Sequence, residues 1–329
     1  MSDLTADVIR TADGLTALEA EWWKLWRRCE SATPFQSPAW LLPWWQVFAP
    51  GELRAIAVRD AGRLVALAPF YREDGAHGRR LLPLGIGLSD YGDILRDPLR
   101  GDAALAIVHA AAQIEGWDSL SLEDLAPGAA ALTLRAGPGM SDATERQCAC
   151  PVLDLTAAPV PAGKRRKLRM AQNRAARRAG FSIESVEADG IDAFLDALFD
   201  LHGARWATRG EGGVLAEDPV RRFHRAAAPA LHRAGLARFA LMRLEGRVVG
   251  AYYGLADARR AYAYLGGFDP AFAFESPGTL LVGHAIDSAA QAGAGEFHFL
   301  RGQEPYKYEW GAVDRWSMRR VLTRQGAHV

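Results

Sequence analysis

The chain has 329 residues, 49% of them hydrophobic, which is enough for two cores at the usual ~100–200 residues per domain. Lys+Arg and Asp+Glu both number 39, and this zero net charge excludes a global field that would draw the protein to nucleic acid or membrane. The three cysteines, Cys29, Cys148 and Cys150, are an odd set without CxxC spacing, which excludes a disulfide framework or zinc knuckle and fits a reducing cytosol.

Residues 1–14 have no basic segment leading into an apolar one, so no secretory signal is expected. No run reaches the ~18 apolar residues of a membrane span, and a cytoplasmic location is expected. The chain opens with a short strand, Asp7–Thr11, and an amphipathic helix carrying Leu15, Leu18, Trp22, Leu25 and Trp26 at helical spacing. The aromatic segment Trp40–Phe48 is nine residues long and interrupted by Pro43; it reads as a soluble aromatic cluster. Leu53–Val58 and Arg63–Tyr71 are strands joined at Asp60-Ala61-Gly62. Arg80–Leu84 is a strand, Ala103–Ile114 an apolar helix and Ser119–Glu123 another strand.

The second half repeats this order. Val152–Leu155 is a strand, Lys164–Ala179 a helix and Phe181–Val186 a strand, followed by helices at Ile191–Trp206 and Pro219–Ala234. Arg238–Leu244 and Val248–Leu255 form a hairpin around Glu245-Gly246-Arg247. Strand Arg260–Gly266, helix Gly278–Ala292, strand Glu296–Leu300 and a closing strand Trp316–Thr323 complete the chain. A repeated hairpin, strand, helix and strand implies an internal duplication with one unit diverged. The join is placed in Thr156–Gly163, rich in Pro, Ala and Gly. The expected fold class is α/β with a mixed sheet, in domains 1–155 and 156–329.

The segment most suggestive of chemistry is EFHFLRGQEPYKYEWG, Glu296–Gly311. The alternation in EFHFL marks a buried strand, and the chain turns at Arg301-Gly302 and Pro305. Seven of the eight residues Gln303–Trp310 are ionisable, aromatic or amide-bearing. Just past a core strand is where open α/β sheets bind ligands; such a cluster either builds a site or packs and solvates.

This phrase resembles the C-terminal signature of the BioF2-like, CelD/BcsL-type acyltransferases of the GNAT superfamily, relatives of the tandem-GNAT Fem-type aminoacyltransferases. Phe35-Gln36-Ser37-Pro38-Ala39-Trp40, Ser89-Asp90-Tyr91-Gly92-Asp93 and Ser276-Pro277-Gly278 extend the resemblance, and His298 stands where that family more often has Asp. The resemblance implies two tandem GNAT-like units, the N-terminal one diverged. It also implies a splayed strand pair, here Arg260–Gly266 and Glu296–Leu300, where acyl donor and acceptor meet. It implies acetyl-CoA or another acyl-CoA as co-substrate, no metal, and donor phosphates at a helix N-terminus. That helix starts near Ser276-Pro277-Gly278-Thr279: Ser276 as cap, Pro277 in the first turn, Gly278 for close approach. The usual Q/R-x-x-G-x-G/A loop is absent there, and a near match at Arg247–Tyr252 falls inside the hairpin.

Acyl transfer needs a base for the acceptor, donors for the oxyanion and an acid for the leaving thiolate. Glu304 is the expected base or acceptor ligand, with His298 second. Tyr306 is the expected acid or oxyanion donor and Lys307 an anchor for phosphate or oxyanion. Arg301, Gly302 and Trp310 are placed on the acceptor side. Tyr262 and Tyr264 alternate on one strand face, where Tyr252 can join them, either lining a tunnel or packing as core aromatics. His202, Arg205 and Trp206 can form another wall.

Residues 164–180 hold eight Lys/Arg and no acid, leaving 31 basic against 39 acidic residues elsewhere. This helix is either a solvated face or an anion site. The segment lacks aromatics for base stacking, so nucleic acid is not an expected partner. There is no GxSxG, HExxH or GxxxxGK[ST] motif, and Gly85-Ile-Gly87 is followed by a spacing too long for a dinucleotide fingerprint. The expected activity is N- or O-acyl transfer to a small-molecule or saccharide-precursor acceptor, with a link to cellulose or exopolysaccharide synthesis implied by the resemblance. The alternatives are an aminoacyl-tRNA-dependent Fem-type transferase and a non-catalytic GNAT-like binding module.

Overall fold

The computed structural model describes residues 4–326 apart from 77, 158, 208–209 and 211–212. The chain divides into two compact units, Met1–Ala149 with Arg315–Val329 and Cys150–Asp314.

The first unit begins with β1 (Leu4–Ile9), α1 (Ala12–Ala17) and α2 (Glu19–Arg28), the last with acids in its first turn and arginines in its last, matching the helix dipole. The aromatic segment forms a helix, α3 (Pro38–Phe48). Pro38 occupies its first turn, where no amide is needed, and Trp40, Leu41, Trp44 and Trp45 are buried. Thr33 and Gln36 form a capping box just before it, the Trp22 indole donates to the Gln36 carbonyl at 2.9 Å, and the Trp40 indole donates to Ser89 Oγ at 3.0 Å. The segments Phe35–Trp40 and Ser89–Asp93 thus pack as one buried buttress.

The strands follow as β2 (Glu52–Leu53), β3 (Ala55–Asp60), β4 (Arg63–Ala68), β5 (Phe70–Gly75), β6 (Gly78–Pro83) and β7 (Leu95–Arg96). Then come α4 (Ala103–Gln113), β8 (Ser119–Leu125) and the fifteen-residue β9 (Met140–Asp154). One antiparallel sheet runs β1-β3-β4-β7, and in another run β2-β5-β6-β8 only β6 and β8 are parallel. The core of this unit collects Ile107, Val108 and Trp117 against Leu120 and Leu122.

The second unit takes the end of β9, then α5 (Ala162–Ala175), β10 (Ser182–Ser185), α6 (Ile191–Ala207), α7 (Asp218–Arg233) and β11 (Ala237–Leu244). It continues with β12 (Arg247–Ala256), β13 (Arg260–Phe268), α8 (Pro277–Gln291), β14 (Glu296–His298) and the one-turn α9 (Pro305–Tyr308). The order β10-β11-β12-β13-β14-β9 is antiparallel except for β13 and β14. Helices α5 and α8 cover one face through Ala171, Ala175, Leu280 and Leu281; on the other, Phe194 of α6 and His224 of α7 meet Phe239 and Tyr253.

The closing strand, β15 (Val313–Arg324), corrects the expected division at 155/156. It pairs with β8, Leu322 opposite Leu120, and Leu322 is buried in the first unit's core. Residues 315–329 therefore complete the first unit, and the second begins at Cys150. Among the described residues no helix is long and apolar enough to cross a membrane, and no group of three or more His, Cys, Asp or Glu is placed to hold a metal ion.

Candidate active site

The parallel pairing of β13 with β14 is three residues long: Arg260 with Glu296, Ala261 with Phe297, Tyr262 with His298. There the ladder ends. β13 runs on along β12 to Phe268, whereas the other chain turns away, with Phe299 N–H donating to the Pro151 carbonyl at 2.9 Å. The next residue, Leu300, is buried with φ of +60°, a left-handed backbone that costs a γ-branched residue roughly 1–2 kcal/mol. Lys307 holds that bend. Its ammonium donates to the carbonyls of Leu300, Arg301 and Gly302 at 3.3, 2.7 and 3.0 Å and pairs with Glu304 Oε2 at 2.9 Å, and its residue is 3% exposed. Four acceptors share three N–H groups, so Lys307 braces the wedge instead of facing a ligand as an anchor.

Above the wedge, on the α8 face, lies Tyr252. Gly250, Tyr252 and Gly254 follow one another on the same face of β12. A Cβ on Gly254 would sit 2.5 Å from Tyr252 Cε1 and 2.7 Å from its hydroxyl, so the missing side chain lets the phenol lie along the sheet. A Cβ on Gly250 would meet Leu281 at 2.8 Å and Pro277 at 3.3 Å, so this glycine lets the start of α8 approach. The Tyr252 hydroxyl reaches towards the Tyr262 carbonyl at 3.5 Å, at the last rung before the strands part. Burial first, and the neighbouring Tyr306 second, push the Tyr252 pKa upward, so the phenol stays a hydrogen-bond donor. Tyr306, 41% exposed, stands edge-on to Phe299.

The start of α8 departs from the expected cap. Ser276 is left-handed (φ +58°) and makes no side-chain cap; its hydroxyl accepts from Arg174 Nη2 of α5 at 3.1 Å. The Thr279 and Leu280 amides turn back onto the Ser276 carbonyl, and Pro277 has no amide to offer. Gly278 therefore presents the outward amide of the first turn, beside the Arg174 guanidinium and with no acid in that turn. Buried Glu275, just before that turn, faces Arg178 at 3.6 Å. A helix start, a guanidinium and a glycine stripe form a surface suited to phosphate.

The opposite face carries the other named residues. A bulge leaves Tyr264 as the extra residue of β13 between the pairs Tyr253–Leu265 and Gly254–Ala263. Its ring meets Tyr253 at 5.6 Å and His224 at 5.8 Å, both edge-on or tilted. The Trp206 indole donates to His202 Nε2 at 2.9 Å, which settles that nitrogen as an acceptor. Burial, and then His202, hold the His224 pKa down at about 3, so its ring is neutral. His298 bonds Glu296 through Nε2 at 3.0 Å and lies 5.0 Å from the Tyr262 ring.

Of the residues named from sequence, Tyr306, Glu304, Arg301 and Gly302 border the wedge, Gly302 with φ of +103°. Gly278 and Thr279 lie on the first turn of α8. Trp310 does not line the site: it is 1% exposed, packed in the core with Phe297 and Phe299, with Lys164 over its ring at 4.4 Å. Tyr262 is fully buried and its hydroxyl donates to Asp257 at 2.7 Å, so it supports the strand from beneath. Arg205 lies on α6, and its side chain is outside the described residues. Sequence reasoning placed too little weight on Tyr252 and Arg174; the signal was the alternation Gly250-Ala-Tyr252-Tyr-Gly254, which puts small residues around one phenol.

Residues 162–308 match the model of the acetyltransferase (GNAT) domain family, a stretch that runs from α5 to α9. Among solved structures, the chain is similar to FemX (13% identity, 96% of each chain covered, TM-score 0.68). It is also similar to the C-terminal (DUF2156) domain of a protein assigned as a lysylphosphatidylglycerol synthetase from Agrobacterium fabrum (16% identity, 95% of this chain and 93% of that one, TM-score 0.60). A third is a tandem GNAT protein from the clavulanic acid biosynthesis pathway (16% identity, 99% and 100% covered, TM-score 0.51). The fold is that of tandem GNAT proteins. No curated protein matches the sequence. The wedge between β13 and β14 belongs to the GNAT-matching unit.

Proposed function

We propose that the second unit is an acyl-CoA-dependent N- or O-acyltransferase, with a small-molecule or saccharide-precursor acceptor. The observation that carries this reading is the three-residue parallel ladder, which among the described residues leaves the far half of β13 unpaired on that side next to the start of α8. Gly278 and Arg174 would hold the donor's phosphates, and the thioester would enter the wedge beneath Tyr252. The acceptor's nitrogen or oxygen attacks the thioester carbonyl from the face of Tyr264 and His224. Its proton passes to His298, oriented by Glu296, while Glu304 binds the acceptor from the rim. The Tyr252 hydroxyl, kept neutral by burial, donates to the developing oxyanion. As the C–S bond breaks, Tyr306 gives its proton to the thiolate and regains one from solvent. The rings of Tyr264 and Trp206 supply apolar faces with polar edges, which suits a saccharide.

Thermal unfolding of the full chain with acetyl-CoA, longer acyl-CoAs and free coenzyme A tests the donor assignment. A donor at a hundred times its dissociation constant stabilises by about 2.7 kcal/mol, and thiol release on adding amino sugars or amines reads the transfer itself. If no thioester at millimolar concentration raises the melting temperature, the reading fails.

A further inference from the structure

The basic helix α5 sorts its cations into two sets. One set is matched: Lys164 and Lys167 pair with Glu309 at 3.1 and 2.8 Å, Arg174 bonds Ser276, and Arg178, just past the helix end, pairs with Glu245 at 3.1 Å and Glu275 at 3.6 Å. Arg165, Arg166 and Arg169, with Arg177 in the turn that continues the helix, are exposed and, among the described residues, have no acidic partner. At 100° per residue these four fall within one arc of about 120°, opposite the buried Ala171 and Ala175. Met170 lies beside that arc and is 52% exposed. Phe274, 73% exposed, stands at its edge with the Arg174 guanidinium 5.0 Å from its ring centre.

We infer that this face of α5, with Phe274, docks the second unit onto an anionic phospholipid surface. Guanidinium groups are weakly hydrated and pair two-fold with phosphodiester oxygens. Spread over some 18 Å of helix, they meet a plane of headgroups, and each contributes independently. The two exposed apolar side chains distinguish this occupant from a nucleic acid. A Met and a Phe projecting among cations can sink to the boundary between headgroups and acyl chains. A single-stranded nucleic acid would instead want stacking platforms, yet one face of Phe274 is taken by Arg174 and residues 162–180 contain no aromatic. The overall charge of zero fits a local, orienting attachment. This inference stands independently of the acyl-transfer reading.

Co-sedimentation of the full chain with vesicles tests it, comparing phosphatidylcholine alone with phosphatidylcholine containing one-third phosphatidylglycerol at 0.1 M salt. The chain should bind the anionic vesicles only and be released as salt rises to about 0.5 M. Each arginine removed should weaken binding roughly fivefold, so Arg165→Gln with Arg169→Gln costs about 25-fold. Met170→Ser with Phe274→Ser should weaken binding to vesicles severalfold while leaving binding to heparin unchanged. All of these positions are exposed, and unaltered melting temperatures show that the variants fold. Absence of sedimentation with anionic vesicles overturns the inference. So does equal binding to neutral ones, or tighter binding to duplex RNA with no effect of the Met170 and Phe274 changes.

Discussion

In the first unit, parallel strands β6 and β8 share two residue pairs, Arg80 with Ser119 and Leu81 with Leu120, and then part as β13 and β14 do. The first unit fills the opening with its own chain. Gly92 bridges to Leu125 and donates to the Asp124 carbonyl at 3.0 Å, while Asp93 accepts from the Ala130 and Ala131 amides at 2.9 and 2.8 Å. The second unit bends its chain away at Leu300 and, among the described residues, leaves the corresponding edge of β13 unpaired. The helices after the two wedges differ in the same sense. Helix α4 follows an acidic N-cap, Asp102, whose carboxylate is already held by Arg100 at 2.8 Å, whereas α8 follows Ser276, whose hydroxyl accepts from Arg174. An anion is favoured more at the second helix start, where a guanidinium and no carboxylate cap stands. The same backbone wedge is a structural joint in one unit and a candidate site in the other, and a few residues at its mouth decide which.

The comparison breaks most sharply at its glycines. Gly254→Val places carbon where the Tyr252 ring and hydroxyl lie, at 2.5 and 2.7 Å. Transfer activity should fall at least ~100-fold, the range lost with one oxyanion donor, with a stability cost of about 1–3 kcal/mol from overpacking. Tyr252→Phe should give a similar loss in kcat without the stability cost. In the first unit a Cβ on Gly92 would meet the Glu123 carbonyl oxygen at 2.4 Å. Gly92→Ala should therefore lower the melting temperature and leave donor affinity intact, as calorimetry and donor titration would show. Equal loss of donor affinity in the two variants would erase the distinction between the two wedges.

The helix starts give the next largest effect. Arg174→Ala should weaken acyl-CoA binding about tenfold, the loss of one charge-assisted contact. Arg100→Ala should leave donor binding unchanged. The same titration reads both, and the comparison is sharpened if coenzyme A lacking its diphosphate is insensitive to Arg174.

Much of this asymmetry was only half visible in the sequence. Both hairpins were legible because their turns carry paired left-handed residues, Ala61-Gly62 and Glu245-Gly246. Helix α3 was not, because Pro43 and apolar side chains all round its axis conceal a helical stripe. The first half of β9 is mostly exposed, so it lacks the alternation that marks a strand. The assignment of β15 to the first unit depends on pairing with a strand some 200 residues away, which no local pattern records. At the site, the polar cluster after β14 announced itself by composition, but composition does not say which way a one-turn helix points. Pro305–Tyr308 turns Lys307 inward and Tyr306 outward, so two neighbours of equal promise have opposite fates.

The remaining prediction concerns acid. His224 is buried against Tyr253 and Tyr264, and its pKa is held at about 3, against 6.5 for a free imidazole. Between those values the unfolded chain binds a proton that the native chain refuses. Stability from this group is therefore complete above pH 6.5 and declines as pH falls towards 3, by up to about 1.4 kcal/mol per pH unit. His224→Leu should flatten that slope in denaturant unfolding of the full chain across pH 4–6.5. Asp93 in the first unit runs the other way: burial raises its pKa to about 6 despite the amides of Ala131, Ala130 and Ile94, so its contribution is greatest in acid and is lost as pH rises through 6. The two wedges should thus respond oppositely to pH, and equal acid sensitivity of the parent and the His224→Leu variant would place the buried imidazole outside the balance.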